Sequence, residues 1–235
     1  MGHPISRGLG KALGVQEEFE QALSLERFAR YLEWAGGDRQ RALELYALNT
    51  RVSEALYTPL QLLEVVLRNR IHTVMSATGG ARWFEQEGLL AIEHQRQQLA
   101  KAVEDLQKER KELTAGRIVA ALSFSFWTAM LSPAYEDLWQ VSLHQIARRA
   151  DGKGLRRRDL SSPLTPIRTL RNRVAHHEPI IQWNLSRHYE NILQIIRWLS
   201  PAAAEWCQTH SRFEQVYPGD RITLVQPAVS TDDEH

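Results

Sequence analysis

Apolar residues recur three or four positions apart along almost the whole chain, which is the spacing of one face of an α-helix. A first amphipathic helix is predicted over residues 25–32, and Gly36-Gly37 ends it. Asp38 is placed to cap a second helix. Thr58-Pro59 offers a cap residue followed by proline at the first helical position, so a third helix is predicted to begin there and to end at Gly79-Gly80.

The second half of the chain continues the same pattern. Further helices are predicted over 89–113, 118–131, 133–149, 165–177 and 186–199, with a short one starting at Ser200. The stretch 118–131 is the most hydrophobic and is predicted to lie at the centre of the core. Residues 151–163, which are rich in glycine and arginine, are predicted to form a loop, and residues 221–225 a lone strand.

These elements predict an all-α fold. A single helical domain is expected over residues 23–217, in which an N-terminal helical portion packs on a C-terminal bundle. Residues 1–22 are expected to form a flexible N-terminal segment, and residues 218–235 a C-terminal extension or tail. The 235 residues are enough to bury a core.

Composition narrows the class of protein. With 43% hydrophobic and 24% charged residues, the chain has the balance of a soluble globular protein, and it has no apolar run of about 18 residues that would span a membrane. No signal peptide follows Met1, and the single cysteine, Cys207, excludes an intramolecular disulfide. We therefore expect a cytoplasmic protein without a membrane partner, and neither a cofactor nor a bound metal is predicted.

The net charge is only +1, but the basic residues are concentrated in one segment. Between Arg148 and Arg173 there are nine basic residues and two acidic ones. Such a run is more often a solvated face or loop than a binding site. Because it leads directly into a candidate phosphate-handling motif, we interpret it as an electrostatic funnel for RNA. The predicted RNA-binding residues are Arg156, Arg157, Arg158, Arg168 and Arg173.

The candidate chemistry lies at the end of the helix predicted over 165–177. Arg171, Asn172 and His176 combine a permanent planar cation, an amide and a proton carrier that works near neutral pH. Asn172 and His176 share one helical face, whereas Arg171 and His176 are about 140° apart. The latter two meet only if the helix loosens before Pro179 or if two copies come together. In an RNA-cleaving site, Arg171 would hold the phosphate, His176 would transfer a proton and Asn172 would orient one of them.

Structural roles compete with this interpretation. Arg171 would serve equally well in an ion pair with an acidic neighbour, and His176 as a cap for carbonyls at the helix end. Glu64 and Arg68 lie one turn apart and would form a buried ion pair that holds the helices together. Residues 176–178 make a poor metal site, because adjacent residues on a helix point about 100° apart.

The segment from Arg171 to Ile180, followed by Trp183-Asn184, resembles the C-terminal signature of the Abi-like (abortive infection) family. That family belongs to the HEPN superfamily of all-α proteins. The superfamily's hallmark is an arginine followed after four to six residues by a histidine, usually with a polar residue directly after the arginine. Arg171, Asn172 and His176 match this hallmark position by position. Further segments resemble the family's other blocks in the right order, namely 25–32, 38–49, 64–69 with 83–84, and 122–127.

The resemblance implies a HEPN-type helical bundle that acts as a metal-independent endoribonuclease of phage-defence or toxin–antitoxin type. It also implies a homodimer in which the motifs of both subunits face one cleft. Cleavage by the ribose 2′-hydroxyl would leave a 2′,3′-cyclic phosphate, and an antitoxin or a phage-derived trigger would be a further partner. Many members of the superfamily bind RNA or partners without cleaving, so a non-catalytic binding module is the alternative.

The resemblance places Glu64, Arg68 and Asn69 near the motif helix, where Arg68 or Asn69 would orient Arg171 or His176. His177 would be a second proton carrier or a cap of the helix end, and we predict that His177 and Glu178 support the motif. Most tryptophans are expected in the core or at interfaces. Only Trp183, just beyond the motif, is placed to stack on a base.

Overall fold

The computed structural model describes residues 18–23, 25–219 and 222–225, and within these ranges it is helical without any β-strand. Residues 18–23 are helical, and they are followed by α1 (Leu25–Trp34), α2 (Arg39–Gly79), α3 (Glu93–Lys108), α4 (Ala115–Ala121), α5 (Phe124–Ala129), α6 (Glu136–Ile146), α7 (Arg157–Ala175), α8 (Leu185–Leu199), α9 (Pro201–His210) and α10 (Phe213–Val216). Short 3-10 turns lie at Trp83–Glu85 and Pro133–Tyr135. The predicted all-α fold is confirmed. No helix of the described residues has the length and apolar character needed to cross a bilayer.

The chain divides into two compact units, and the division falls inside α2. The described residues up to Val52 and from Tyr217 onward form the first unit, and Ser53–Val216 form the second. Of the segment 1–22, residues 18–22 are helical, and the others lie outside the described residues. Of the C-terminal extension, the residues after 225 also lie outside them.

The first unit is built around the apolar face of α1. Tyr31 is 1% exposed, and its ring packs edge-on against the rings of Trp34 and Tyr46. The Val225 N–H donates to the Trp34 carbonyl at 2.8 Å. Residues 222–225 form no strand, so the lone strand predicted there is wrong for the described part of it. The segment instead makes the hydrogen bond from Val225 to the end of α1.

Helix α2 is continuous over 41 residues, so the helix start predicted at Thr58-Pro59 is wrong. Proline inside a helix removes one hydrogen bond and crowds the preceding turn, at a cost of about 3 kcal/mol. Leu56, Leu60 and Leu63 flank the proline and are at most 5% exposed. Each fully buried leucine contributes about 1.5–3 kcal/mol. Burial on either side of the proline therefore outweighs its local cost.

The hydrophobic stretch over 118–131 lies in the core of the second unit, as predicted, but it is not one helix. The backbone is extended at Leu122 and Ser123, with ψ angles of 133° and 163°, and this break separates α4 from α5. Trp127 on α5 is 0% exposed and packs edge-on against Trp83, which is equally buried. The hydrophobic stretch therefore forms two short helices, and α5 contributes Trp127 to an aromatic core.

Helix α7 carries the motif and begins inside the loop predicted over 151–163, which is therefore wrong in its second part. The Asp159 carboxylate accepts the N–H of Arg156 at 2.8 Å and stabilises the first turn. Leu160 and Leu164 are at most 1% exposed. Their burial holds the helix together through its two prolines, as it does in α2.

A buried polar network connects α3 to α5 and to the turn before α6. Gln95 is 0% exposed, its Nε2 donates to the Phe126 carbonyl at 2.9 Å, and its Oε1 accepts from the Tyr135 hydroxyl. The Tyr135 oxygen in turn accepts the N–H of Ala91 at 3.1 Å. These groups satisfy one another out of reach of water, where the loss of one partner is costly.

We expect Tyr135→Phe to lower the free energy of unfolding by about 1–3 kcal/mol, because Gln95 Oε1 and the Ala91 N–H would lose a buried partner. Urea denaturation followed by circular dichroism measures the change. Tyr57→Phe, at a tyrosine that is 64% exposed, is the matched control and should change the free energy by less than about 0.5 kcal/mol. Equal effects of the two substitutions would contradict the role of the network.

Candidate functional site

The way α7 ends decides where the side chains of the motif lie. After Ala175 the helix stops, and His177 adopts a left-handed conformation with φ of 57°. The His177 N–H donates to the Val174 carbonyl at 3.2 Å, and the Glu178 N–H donates to the Arg173 carbonyl at 2.8 Å. This is the Schellman pattern, in which glycine is the usual left-handed residue. A residue with a side chain costs about 1–2 kcal/mol there.

A cleft of about 430 Å³ lies between α2 and the end of α7, entirely within the second unit. We call it the motif cleft, and it is lined by Tyr57, Leu60, Gln61, Glu64, Val65, Arg68, Arg171, Val174, Ala175 and His177. The lining combines two guanidiniums, one carboxylate and one imidazole with tyrosine, leucine and valine side chains. Such a surface suits a ligand that carries both an anionic and an apolar part.

Arg171 lies in the motif cleft and is paired there. Its Nη2 is 3.4 Å from Oε2 of Glu64, and the two side chains are 38% and 22% exposed. Arg68 instead donates from Nε to Asn69 Oδ1 at 3.4 Å. The Glu64–Arg68 pair considered from the sequence is therefore wrong, and Glu64 acts on the motif arginine. The exposure of Arg171 leaves part of its guanidinium accessible to a ligand.

His176 and Asn172 lie on the exposed surface of α7 and do not line the motif cleft. The regular hydrogen bond from the His176 N–H to the Asn172 carbonyl, at 2.9 Å, keeps the helix intact up to this point. The helix therefore does not loosen enough to bring His176 round to Arg171. The imidazole that lines the cleft beside Arg171 belongs to His177, because the left-handed backbone turns it there.

Arg173 and Glu178 close the turn after α7. Arg173 Nη1 donates to the Pro179 carbonyl at 3.2 Å and lies 3.5 Å from Oε2 of Glu178. The Arg173 guanidinium also lies over the Trp183 ring, 5.2 Å from its centroid, and the His188 ring is 5.4 Å from the same ring. Trp183 is therefore stacked within the protein itself, and Arg173 has several intramolecular partners.

The other arginines predicted to bind RNA fall into two groups. Arg156 forms an ion pair of 3.2 Å with a carboxylate of the same helical turn. Arg157 is only 12% exposed and donates to the Glu136 carboxylate, so it ties α7 to α6. Arg158 and Arg168 instead line a second cleft along α7. Among the described residues, no group of three or more histidine, cysteine, aspartate or glutamate side chains is arranged to hold a metal ion.

Sequence reasoning missed the place of Tyr57 and the orientation of His177. Tyr57 lines the motif cleft and is 64% exposed. It lies one turn before Gln61 and two turns before Glu64, so the helical spacing of these residues was a usable signal. The helix break assumed at Pro59 hid that signal. For His177 the sequence carries no signal, because glycine and asparagine are the residues expected in a left-handed helix end.

We expect His177→Gly to raise the free energy of unfolding by about 0.5–1 kcal/mol. The relief of about 1–2 kcal/mol of steric cost exceeds the entropic cost of about 0.5–1 kcal/mol that glycine adds. His176→Gly is the matched control, since His176 has an ordinary φ of −95°, and it should lose stability. Urea denaturation measures both variants, and a gain at both positions or at neither would exclude strain at His177.

The sequence profile described as Abi-like protein matches residues 16–182. The match spans well over half of the chain and includes both helices that form the motif cleft. No curated protein and no solved structure matches the sequence. The chain therefore belongs to the Abi-like protein family.

Proposed function

We propose that this Abi-like protein is a metal-independent endoribonuclease of the HEPN superfamily, acting in phage defence by abortive infection or as the toxin of a toxin–antitoxin pair. The observation that carries the proposal is the motif cleft, in which Arg171 lies beside Arg68 and His177 at the end of the motif helix. The protein acts in the cytoplasm on RNA. An antitoxin or a phage-derived trigger controls it.

The proposed reaction needs an anion clamp and a proton carrier, both of which the motif supplies. Arg171 holds the scissile phosphate and the charge that develops on it, with Arg68 as a second cation in the cleft. His176 accepts the proton of the ribose 2′-hydroxyl while its oxygen attacks phosphorus. The bond from phosphorus to the 5′-oxygen breaks and that oxygen takes a proton from water, which leaves a 2′,3′-cyclic phosphate and a 5′-hydroxyl. His176 then returns its proton to the solvent. Asn172 orients the His176 imidazole by hydrogen bonding.

In the proposed homodimer, Arg171 of one chain and His176 of the other form one site. In one chain the arginine lines the motif cleft, whereas His176 lies on the exposed face of α7 and does not line that cleft. A two-fold axis near the end of α7 would bring His176 of one copy to Arg171 of the other.

A non-catalytic module that binds RNA or a partner is the second candidate. The pairing of Arg171 with Glu64 favours it, because the carboxylate already balances part of the charge that a phosphate would need. In this case the same cleft would bind an RNA phosphate or an acidic group of a partner without cleaving it.

We expect the purified protein to fragment RNA in excess EDTA, and Arg171→Ala or His176→Ala to lower the rate at least about 100-fold. Gel electrophoresis measures the rate, and mass spectrometry of the fragments identifies the cyclic phosphate. Arg117→Ala is the matched control, because Arg117 is also a half-exposed arginine beside a glutamate, 3.8 Å from Glu112, but does not line the motif cleft. Intact RNA that is nonetheless bound in a salt-sensitive way would contradict cleavage and favour the binding module.

Mixing two inactive variants tests the shared site. If each site takes Arg171 from one subunit and His176 from the other, a dimer of one Arg171→Ala and one His176→Ala chain has one intact site. After unfolding and refolding the mixture together, we expect about a quarter of the wild-type activity, because about half of the dimers are mixed and each has one site. An inactive mixture would contradict the shared site and favour a site within one chain that needs both Arg171 and His176.

A further inference from the structure

The exposed face of α7 is polar from one end to the other. Arg158, Ser161, Thr165, Arg168 and Asn172 recur three or four residues apart, so they form one stripe along the helix, and His176 continues it. All of them are exposed or half-buried. The stripe from Arg158 to Asn172 is about 21 Å long at 1.5 Å per residue. It carries two arginines and no acidic residue.

A second cleft, of about 490 Å³, lies along the first half of this stripe. We call it the hydroxyl cleft, because its polar lining is made of arginines and of serine and threonine side chains, among them Ser161, Ser162 and Thr165. Its lining within the described residues contains no carboxylate. Guanidiniums next to hydroxyl donors, without a competing acid, are the groups that recognise a phosphate.

Arg157 also lines the hydroxyl cleft and orients the Ser161 hydroxyl there. Its guanidinium donates to the Leu131 carbonyl and to Ser161 Oγ, the latter at 3.2 Å, and it is 12% exposed. Because Ser161 Oγ accepts this hydrogen bond, its own hydroxyl proton is free to be donated. Ser161 is thus held as a donor beside Arg158 and Arg168.

Among the residues that the structure describes, Arg168 has no acidic partner. Its side chain is half-buried in the hydroxyl cleft and forms no hydrogen bond or ion pair with any residue that the structure describes. A guanidinium that is partly removed from water gains most from an anion with which it forms two hydrogen bonds. The contrast with Arg156 and Arg157 is informative, because those neighbours have intramolecular carboxylate partners.

We propose that the hydroxyl cleft is a phosphate-binding site that holds a phosphodiester of the RNA at a distance from the motif. Arg158 and Arg168 contact the phosphate oxygens and Ser161 donates its hydroxyl to one of them. The strand then follows the stripe on α7 toward Asn172 and His176. This proposal rests on the proposed function in that it takes RNA as the ligand, but it requires binding only and not cleavage.

The test uses the full-length His176→Ala variant, which keeps RNA intact, and a fluorescently labelled single-stranded RNA. Anisotropy titrations over a series of salt concentrations give the affinity and its salt dependence. We expect Arg158→Ala with Arg168→Ala to weaken binding at least about tenfold for RNAs of any sequence. The slope of log affinity against log salt should fall by about 0.7 for each phosphate that the variant no longer neutralises. Arg117→Ala on the same background is the matched control and should change neither quantity.

Three outcomes overturn the proposal. The first is RNA affinity that does not change in the double variant, or a parent that binds no RNA. The second is saturable binding of inorganic phosphate or a mononucleotide in the hydroxyl cleft without competition against RNA, which would assign the cleft to a free phosphate compound. The third is a change in sedimentation with unchanged RNA affinity, which would assign the stripe to a second copy of the chain. If the wild-type protein does not cleave RNA but the binding results are as expected, the proposed nuclease is refuted and the phosphate-binding site is not.

Discussion

One backbone reversal, the left-handed residue that ends α7, decides which side chains of the motif line the motif cleft. At His177 the chain turns within one residue while the N–H groups of His177 and Glu178 satisfy carbonyls of the last helical turn. In a regular helix, His177 would lie about 100° from the exposed His176 and on the same side as Arg173, one turn before it. Instead it lies in the motif cleft beside Arg171. Strained residues persist where their surroundings over-determine them, and two backbone hydrogen bonds to the last turn of α7 do so here.

The ion pair between Arg171 and Glu64 is the second constraint, and its strength decides what it means for function. The two side chains are 38% and 22% exposed, and pairs open to water contribute about 0–1 kcal/mol. Such a pair is strong enough to orient a guanidinium and too weak to withhold it from a phosphate, whose charge-assisted hydrogen bonds are worth about 1.5–3 kcal/mol each. Under the proposed function, an RNA phosphate would therefore displace the Glu64 carboxylate from Arg171.

Helical periodicity was sufficient to predict the fold class, and helical geometry was sufficient to separate Arg171 from His176. Two of the errors, the helix start at Pro59 and the late start of α7, share one physical cause, because local rules for proline were weighed without knowledge of burial. Pro59 lies inside a helix whose flanking leucines are buried, and the prolines of α7 are accommodated in the same way. Which arginines of the basic run are free could not be read from the sequence either. Arg157 and Arg158 are adjacent in the chain, yet only the first meets the carboxylate of Glu136.

The arginines of α7 differ in their surroundings according to the side of the helix on which they lie, and both clefts are lined by arginines of this helix. Arg157 forms an ion pair with Glu136 inside the protein, whereas Arg158 and Arg168 line the hydroxyl cleft, whose lining contains no carboxylate. Arg171 faces a different cleft from the stripe that leads to His176. Under the proposed function, each side of α7 would therefore carry one of the two groups that the reaction needs. Under the proposed function, a complete centre exists only where two chains meet, and its concentration follows the dimer rather than the monomer. A protein that destroys RNA is then harmless as long as its copies stay apart, which makes dimerisation the natural point at which an antitoxin or a trigger acts.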